Sequence, residues 1–180
     1  DEGCPYSLEV IPWGSVNITN DIVKGFQITL DEAEKLKVNY GAVSSAANTS
    51  ASKKDDIVHG TYSKRKLSEI IEARLEDIFE LVEKHVKKVG RAGLLPAGVV
   101  IVGGGANLNG IVEFTKDYLK LPARIASPEN LGGFKEKANN PVWAGAVGVA
   151  LMALSKHSYK SSVFRGKSGA ILRWLRNFLP

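Results

Sequence analysis

The stretch that decides the fold reads Pro96-Ala97-Gly98-Val99-Val100-Ile101-Val102-Gly103-Gly104-Gly105-Ala106-Asn107-Leu108-Asn109-Gly110. It contains an unbroken β-branched run, residues 99–102, which is typical of a strand buried on both faces of a parallel sheet. Three glycines follow at once, and the apolar pattern of residues 108–119 then predicts a helix. Such a turn lets backbone N–H groups approach a ligand closely. A tight connection without a ligand fits the three glycines equally well.

The glycine turn does not match the common phosphate-binding signatures. A dinucleotide motif counted from Gly103 requires a glycine where Leu108 stands, and a P-loop requires a Lys-Ser/Thr pair that does not follow these glycines. The turn therefore identifies no ligand by itself.

Composition and charge narrow the class of protein. With 180 residues and 44% hydrophobic content, the chain can bury a sizeable core in one domain, or in one domain that carries a small inserted lobe. The single cysteine, Cys4, excludes a disulfide framework. The net charge is +5, and no acidic residue occurs from Ser155 onward. Such a basic end suits an anionic surface, either a membrane or a nucleic acid.

The C-terminal stretch predicts a membrane-binding helix behind a linker. Residues 155–168 are polar and basic, which is typical of a flexible linker. At about 100° per residue, the apolar side chains of residues 169–180 fall within an arc of roughly 160°, and the arginines lie opposite. This segregation favours an anionic lipid surface over a nucleic acid. The alternative is a terminal helix folded back on the domain. The residues predicted to meet the membrane are Ile171, Leu172, Arg173, Trp174, Leu175, Arg176, Phe178 and Leu179.

Local patterns predict the remaining elements. We expect a strand over residues 7–11, a helix around residues 18–26 capped by Asn17, and a helix from a Thr29 capping box to Gly41. A long helix is expected over residues 63–89, a short strand over residues 121–126, and a helix that begins at Pro141. The last of these is apolar all round, which predicts that it is buried.

Five segments in a fixed order carry a family resemblance. They are I-P-W-G-S-V-N-I-T-N-D-I at residues 11–22, E-A-E-K-L-K-V-N-Y-G at 32–41, L-S-E-I-I-E-A-R at 67–74, the glycine stretch at 95–106, and the C-terminal amphipathic pattern. Together they resemble the C-terminal half of FtsA, the family of bacterial actin-like cell-division proteins. The resemblance covers nearly the whole chain.

The resemblance implies an α/β fold of the actin-like ATPase (ribonuclease H-like) type. The chain would be the second large subdomain with its inserted smaller lobe, truncated at the N-terminus. Residues 1–16 and 91–154 would form the core subdomain and residues 17–90 the inserted lobe, followed by the linker and the terminal helix. In the complete protein the family binds ATP with Mg²⁺. Because half of such a cleft supplies few groups for the γ-phosphate, we expect weak or no ATP binding by this chain alone, and no hydrolysis.

The resemblance also implies which residues contact the nucleotide. Glu34 and Lys37 would reach the ribose and base, and their spacing of three residues places them on one helix face. An exposed ion pair is the alternative for these two. Gly14 and Ser15 would lie near phosphate, although the family has a second glycine where this chain has Ser15. The residues expected to let the nucleotide lie against backbone are Gly103, Gly104, Gly105 and Ala106.

The implied partners are those of a division adaptor. The family ties filaments of the tubulin-like protein FtsZ to the cytoplasmic face of the membrane at the division site, as a peripheral protein, and self-associates into actin-like filaments. No nucleic-acid partner is expected. The basic residues expected to receive the FtsZ C-terminal tail are Lys64, Arg65, Lys66 and Arg74. The alternatives are an actin-like adaptor of a pilus or secretion machine and, less favoured, a sugar-kinase-like phosphotransferase.

Overall fold

The computed structural model describes residues 5–43, 57–58, 60–129 and 139–154. Residues 1–147 form one compact unit and residues 148–180 a second, of which only residues 148–154 are described. The predicted linker and the predicted membrane helix, residues 155–180, lie outside the described residues, so both stay predictions. No helix in the described ranges combines the length and the apolar character that crossing a bilayer requires.

Three helices build most of the core. They are α1 (Ser15–Phe26), α2 (Leu30–Tyr40) and α3 (Lys64–Lys88), and a short antiparallel hairpin, β1 (Ile57–Val58) and β2 (Tyr62–Ser63), leads into α3. Apolar residues at helical spacing face inward on all three helices. The side chains that are fully buried where the helices meet are Ile22, Leu36, Leu67 and Ile71.

Capping residues fix where these helices begin. The Thr29 hydroxyl accepts a hydrogen bond from the Glu32 backbone N–H, as the predicted capping box requires, but the Glu32 carboxylate accepts from the Tyr62 hydroxyl and not from Thr29. The prediction that Asn17 caps α1 is wrong. Gly14 is the N-cap, and Asn17 lies one turn inside the helix, where its side chain accepts from the Gly14 N–H at 2.9 Å. The helix begins three residues earlier than predicted, because the Asn17 side chain reaches back to the Gly14 N–H.

A parallel strand pair follows the helices. Strand β3 (Val99–Ile101) pairs in parallel with β4 (Ala123–Ile125), and the helix α4 (Ile111–Leu119) connects them through a 3₁₀ turn at Gly104–Asn107. The strand, glycine turn, helix and second strand are therefore all confirmed. Ile111 and Phe114 of α4 join the same apolar core as the first three helices.

Burial of β3 on both faces is not found in this chain. Val100 is 46% exposed, because only β4 pairs with β3 among the described strands and no described element covers that face. The last helix is α5 (Ala144–Leu154), and the 3₁₀ turn Pro141–Trp143 precedes it. Its Val149 is 70% exposed and its Met152 is 78% exposed, so the predicted burial all round is wrong for these residues.

Residues 7–11 do not form the predicted strand. They run without regular structure along α3, and the backbone of this segment pairs with no described strand. Side chains hold it in place. The Ser7 hydroxyl lies 3.1 Å from Nε2 of His85, and the Glu9 carboxylate lies 3.1 Å from Nδ1 of the same ring. An alternating pattern alone cannot produce a strand when no partner strand is present.

Candidate functional site

The two predicted ligand-binding turns lie side by side. One is the turn at Gly14 and Ser15, which begins α1, and the other is the glycine turn at residues 103–106. A Cβ placed on Gly105 would lie 3.9 Å from the Cβ of Ser15. A second link joins α2 to the end of the glycine turn, where the Val43 N–H donates to the Asn109 carbonyl at 2.9 Å. The fold therefore brings together segments that are ninety residues apart.

The glycine turn offers open space beside its backbone. A Cβ on Gly103 or Gly104 would meet no atom within 4 Å, and Gly103 has a φ of +90°, which favours glycine. The Gly103 N–H is already used, because it donates to the Pro141 carbonyl at 2.8 Å. Ala106 is buried in the core and does not face this space. The exposed backbone for a ligand is thus at Gly104 and Gly105.

Two polar groups of the turn at Gly14 and Ser15 already make hydrogen bonds within the protein. The space beside Gly14 is open, but its N–H group donates to the Asn17 side chain and is not available to a phosphate. Ser15 does not point a free hydroxyl at a ligand either, since its Oγ accepts a hydrogen bond from Lys37 at 2.9 Å. Trp13, just before the turn, lies under the Arg74 guanidinium at 5.1 Å, which holds this end of the segment against α3.

Lys37 and Glu34 form the predicted pair, within a larger network. Nζ of Lys37 lies 2.7 Å from Oε2 of Glu34, so the two side chains do share one face of α2. The pair is not the exposed ion pair of the alternative interpretation, because the Lys37 side chain is only 10% exposed, whereas Glu34 is 50% exposed. Nζ also donates to the Ser15 carbonyl at 3.2 Å.

Thr19 is the member of this network that the sequence did not reveal. It is buried, and its hydroxyl donates to Oε2 of Glu34 at 2.6 Å. The Thr19 hydroxyl oxygen also accepts a hydrogen bond from Nζ of Lys37 at 2.8 Å. Burial raises the pKa of Glu34, but the hydrogen bonds from Lys37 and Thr19 and the charge of Lys37 outweigh it, so this pKa lies below its ordinary value. The signal available in the sequence was the position of Thr19, four residues after Ser15 and therefore on the same face of α1.

The residues around these two turns fit a nucleotide. The turn at Gly104 and Gly105 leaves backbone exposed to an anionic group. The ionised Glu34 carboxylate accepts hydrogen bonds and therefore suits a sugar hydroxyl. A cradle of this kind can hold and orient a ligand. Transfer of a phosphoryl group would need further charged residues.

The predicted basic partner site is divided by the structure. Lys64, Arg65 and Lys66 lie exposed in the first turn of α3. Nζ of Lys66 donates to the Gly25 carbonyl and lies 5.0 Å from the centre of the Phe26 ring.

Arg74 is more buried than these three residues, and its contacts stabilise the packing of α3 against α1. It donates to Asp21 of α1, pairs with Asp77 at 3.1 Å, and is partly buried. The hydrogen bond to Asp21 raises the pKa of Arg74, and the charges of Asp21 and Asp77 add to this effect. Because two carboxylates and the Trp13 ring already surround its charge, Arg74 is the least available of the four predicted partner residues.

Known proteins resemble this chain over most of its length. The family model "FtsA: Cell division protein FtsA" matches residues 1–148. The Cell division protein FtsA of Pseudomonas aeruginosa is 29% identical over 162 residues, which are 87% of this chain and 39% of that protein. The FtsA of Neisseria meningitidis is 33% identical and covers 78% of this chain and 35% of its own length. The chain thus spans under two fifths of the length of these relatives.

Solved structures agree on the fold. MreB5 of Spiroplasma citri bound to ADP superposes with a TM-score of 0.52 at 22% identity, over 76% of this chain and 44% of that one. The same protein bound to AMPPNP gives a TM-score of 0.54 at 19% identity, over 91% of this chain and 46% of that one. The fold is therefore that of the actin-like ATPases. Together with the match over residues 1–148, this establishes that the chain belongs to the FtsA family of cell-division proteins.

Proposed function

We propose that this chain is the part of a cell-division adaptor that links FtsZ filaments to the cytoplasmic membrane. Membership of the FtsA family carries the proposal. The basic, amphipathic pattern of residues 169–180 behind a polar linker supports attachment to an anionic lipid surface. Attachment would be peripheral, on the cytoplasmic face of the division site. Self-association into actin-like filaments is part of the same proposal.

Binding of an adenine nucleotide beside the adjacent turns at Ser15 and Gly105 is a second part of the proposal. The open backbone at Gly104 and the half-exposed carboxylate of Glu34 support it. The related MreB5 structures were solved with ADP and with AMPPNP. Since this chain spans only part of its relatives, we expect weak binding of MgATP. Saturation-transfer NMR detects such binding, and an absence of transfer from the protein to ATP would refute this part.

Co-sedimentation with liposomes tests the membrane attachment. The full chain should pellet with vesicles that contain anionic lipid, and a chain that ends at Arg165 should stay in the supernatant. Added salt should weaken the pelleting, because the arginines of residues 169–180 act through charge. A Trp174→Glu variant keeps the length and the linker while it places a charge on the apolar face. Equal pelleting of the full, truncated and Trp174→Glu chains would overturn the proposal.

The exposed basic turn of α3 is the proposed acceptor for the acidic FtsZ tail. Charge reversal at Lys64 and Arg65 should weaken binding of a tail peptide. Arg65 pairs with Glu69 at 2.9 Å, but both of these side chains are exposed, so the free energy of unfolding should fall by less than about 1 kcal/mol. The matched control is Lys84→Glu, at the other end of α3, where the side chain is also largely exposed. Unchanged peptide affinity in the Lys64→Glu, Arg65→Glu double variant would exclude this surface.

A further inference from the structure

Two asparagine side chains meet at the end of the glycine turn. Nδ2 of Asn107, the last residue of the 3₁₀ turn Gly104–Asn107, donates to Oδ1 of Asn140 at 3.4 Å. Asn140 comes directly before the second 3₁₀ turn, and the backbone joins the two turns as well, since the Gly103 N–H donates to the Pro141 carbonyl at 2.8 Å. The position of Asn107 relative to Asn140 is therefore held by two hydrogen bonds.

The hydrogen bonds decide which atom of each carboxamide is oxygen and which is nitrogen. A backbone N–H only donates, so the Asn140 atom that lies 3.0 Å from the Val142 nitrogen is the oxygen, Oδ1. The Asn107 carboxamide donates to this same oxygen, so its nearer atom is the nitrogen, Nδ2. Oδ1 of Asn107 accepts no hydrogen bond from a residue that the structure describes, and one of the two N–H groups on Nδ2 is also left over.

Asn107 offers these two groups next to the open backbone of the glycine turn. Its side chain is exposed, as is that of Asn140. The rise of a 3₁₀ turn is about 2 Å per residue, so Asn107 lies within about 6 Å of Gly104 along the turn. An acceptor oxygen and an N–H donor thus stand side by side where a nucleotide is proposed to lie.

We infer that Asn107 pairs with the N6–N7 edge of a purine and selects adenine over guanine, and that Asn140 holds it in the orientation this requires. The inference rests on the proposed nucleotide binding. Adenine presents an N6–H donor beside the N7 acceptor, and an asparagine carboxamide bonds to both at once. Guanine presents two acceptors there, O6 and N7, so Oδ1 of Asn107 finds no donor. A reversed carboxamide would donate to O6, but reversal breaks the bond to Asn140, which is therefore a positioning residue.

Saturation-transfer titrations of the full chain with three nucleotides test this selection. The dissociation constant of MgGTP should be at least about fivefold higher than that of MgATP, because a two-bond contact of this kind discriminates between bases by that factor or more. The magnesium complex of 7-deaza-ATP keeps the N6–H donor and lacks the N7 acceptor. It should bind at least about twofold more weakly than MgATP, since one hydrogen bond is lost.

Variants assign the preference to the two asparagines. Asn107→Leu keeps the size of the side chain and removes both polar groups, so MgATP and MgGTP should bind within about twofold of each other. The matched control is Asn109→Leu, two residues further along the chain and also exposed, which should keep the preference of wild type. Asn140→Asp retains the oxygen that accepts from Asn107 and should keep the ratio of the two dissociation constants, whereas Asn140→Ala should lower it.

The outcomes separate this inference from the nucleotide binding on which it rests. Equal affinity of wild type for MgATP and MgGTP would overturn the selection by Asn107 and leave nucleotide binding intact. The same follows if Asn109→Leu removes the preference as fully as Asn107→Leu does. An unchanged ratio in Asn140→Ala would overturn the positioning role of Asn140. If wild type shows no transfer to any of the three nucleotides, the proposed binding and the inference both fail.

Discussion

Replacing Lys37 by methionine should destabilise the fold strongly. Methionine fills nearly the same volume, so the change removes the charge without leaving a large cavity. It strips Oε2 of Glu34 and the Thr19 hydroxyl of a donor, and breaking a buried ion pair from one side costs about 3–5 kcal/mol. Glu34 is half exposed and recovers part of its hydration, so we expect the lower end, a loss of about 3 kcal/mol in the free energy of unfolding.

The pH dependence of stability should change in the same variant. In wild type the pKa of Glu34 lies below its ordinary value of 4.5, so the stabilisation it gives is present above that value and is lost as the pH falls through the folded-state pKa. Without Lys37, burial still raises the Glu34 pKa and less opposes it. The difference in stability between wild type and Lys37→Met should therefore shrink on acidification.

Urea unfolding followed by tryptophan fluorescence measures both effects, at neutral pH and at pH 4. Lys35→Met is the control, because Lys35 is exposed on the same helix and should change the free energy by less than about 0.5 kcal/mol. The reasoning is refuted if Lys37→Met stays within about 1 kcal/mol of wild type at neutral pH. It is also refuted if the loss grows as the pH is lowered.

Three further measurements test other features of the structure. Gly110→Ala should cost more than about 2 kcal/mol, because φ is +83° and the new Cβ would clash with the Val43 carbonyl oxygen. Gly104→Ala should be nearly neutral in urea unfolding, because a Cβ there meets open space. Equal effects would contradict the two geometries. Arg74→Gln should lower stability by about 2 kcal/mol and raise the exposure of Trp13 above its present 39%, seen as a red shift of the tryptophan emission. An unchanged spectrum would exclude the stacking. The chain alone should release no phosphate from MgATP, and turnover above that of the buffer would contradict this.

Local signals in the sequence predict the helices well. The capping residues Thr29 and Ser63 and the terminating Gly41 place α2 and α3 within a residue of their observed bounds, because a cap acts through bonds to its own next turn. The start of α1 is the exception. Asn17 carries the chemistry of a cap, but its side chain reached back to the Gly14 N–H from inside the helix, and sequence cannot distinguish these two positions.

The contacts of the candidate site are only partly predictable from the sequence, because some of them join two different helices. The family resemblance indicated Glu34 and Lys37, and their spacing places both on one face of α2, where the structure finds them in contact. Thr19 and Ser15 reach the same ammonium group from α1, and this contact depends on how α1 and α2 pack. A short polar side chain on an apolar helix face is compatible with many partners. Its partner becomes known only when the neighbouring helix is placed.

Burial is the property that the sequence overestimated, and the cause is physical. A β-branched run such as residues 99–102, or an apolar helix such as α5, is typical of elements that neighbouring elements cover on every side. In this chain Val100 is exposed, because the described elements supply one neighbour for β3 and none that covers this side chain, and Val149 of α5 is exposed as well. The chain spans under two fifths of the relatives that share its pattern. The apolar pattern therefore describes a sheet and a helix that bury more surface than the described residues provide. The hydrogen bonds around Lys37 lie within α1 and α2 and do not depend on that surface.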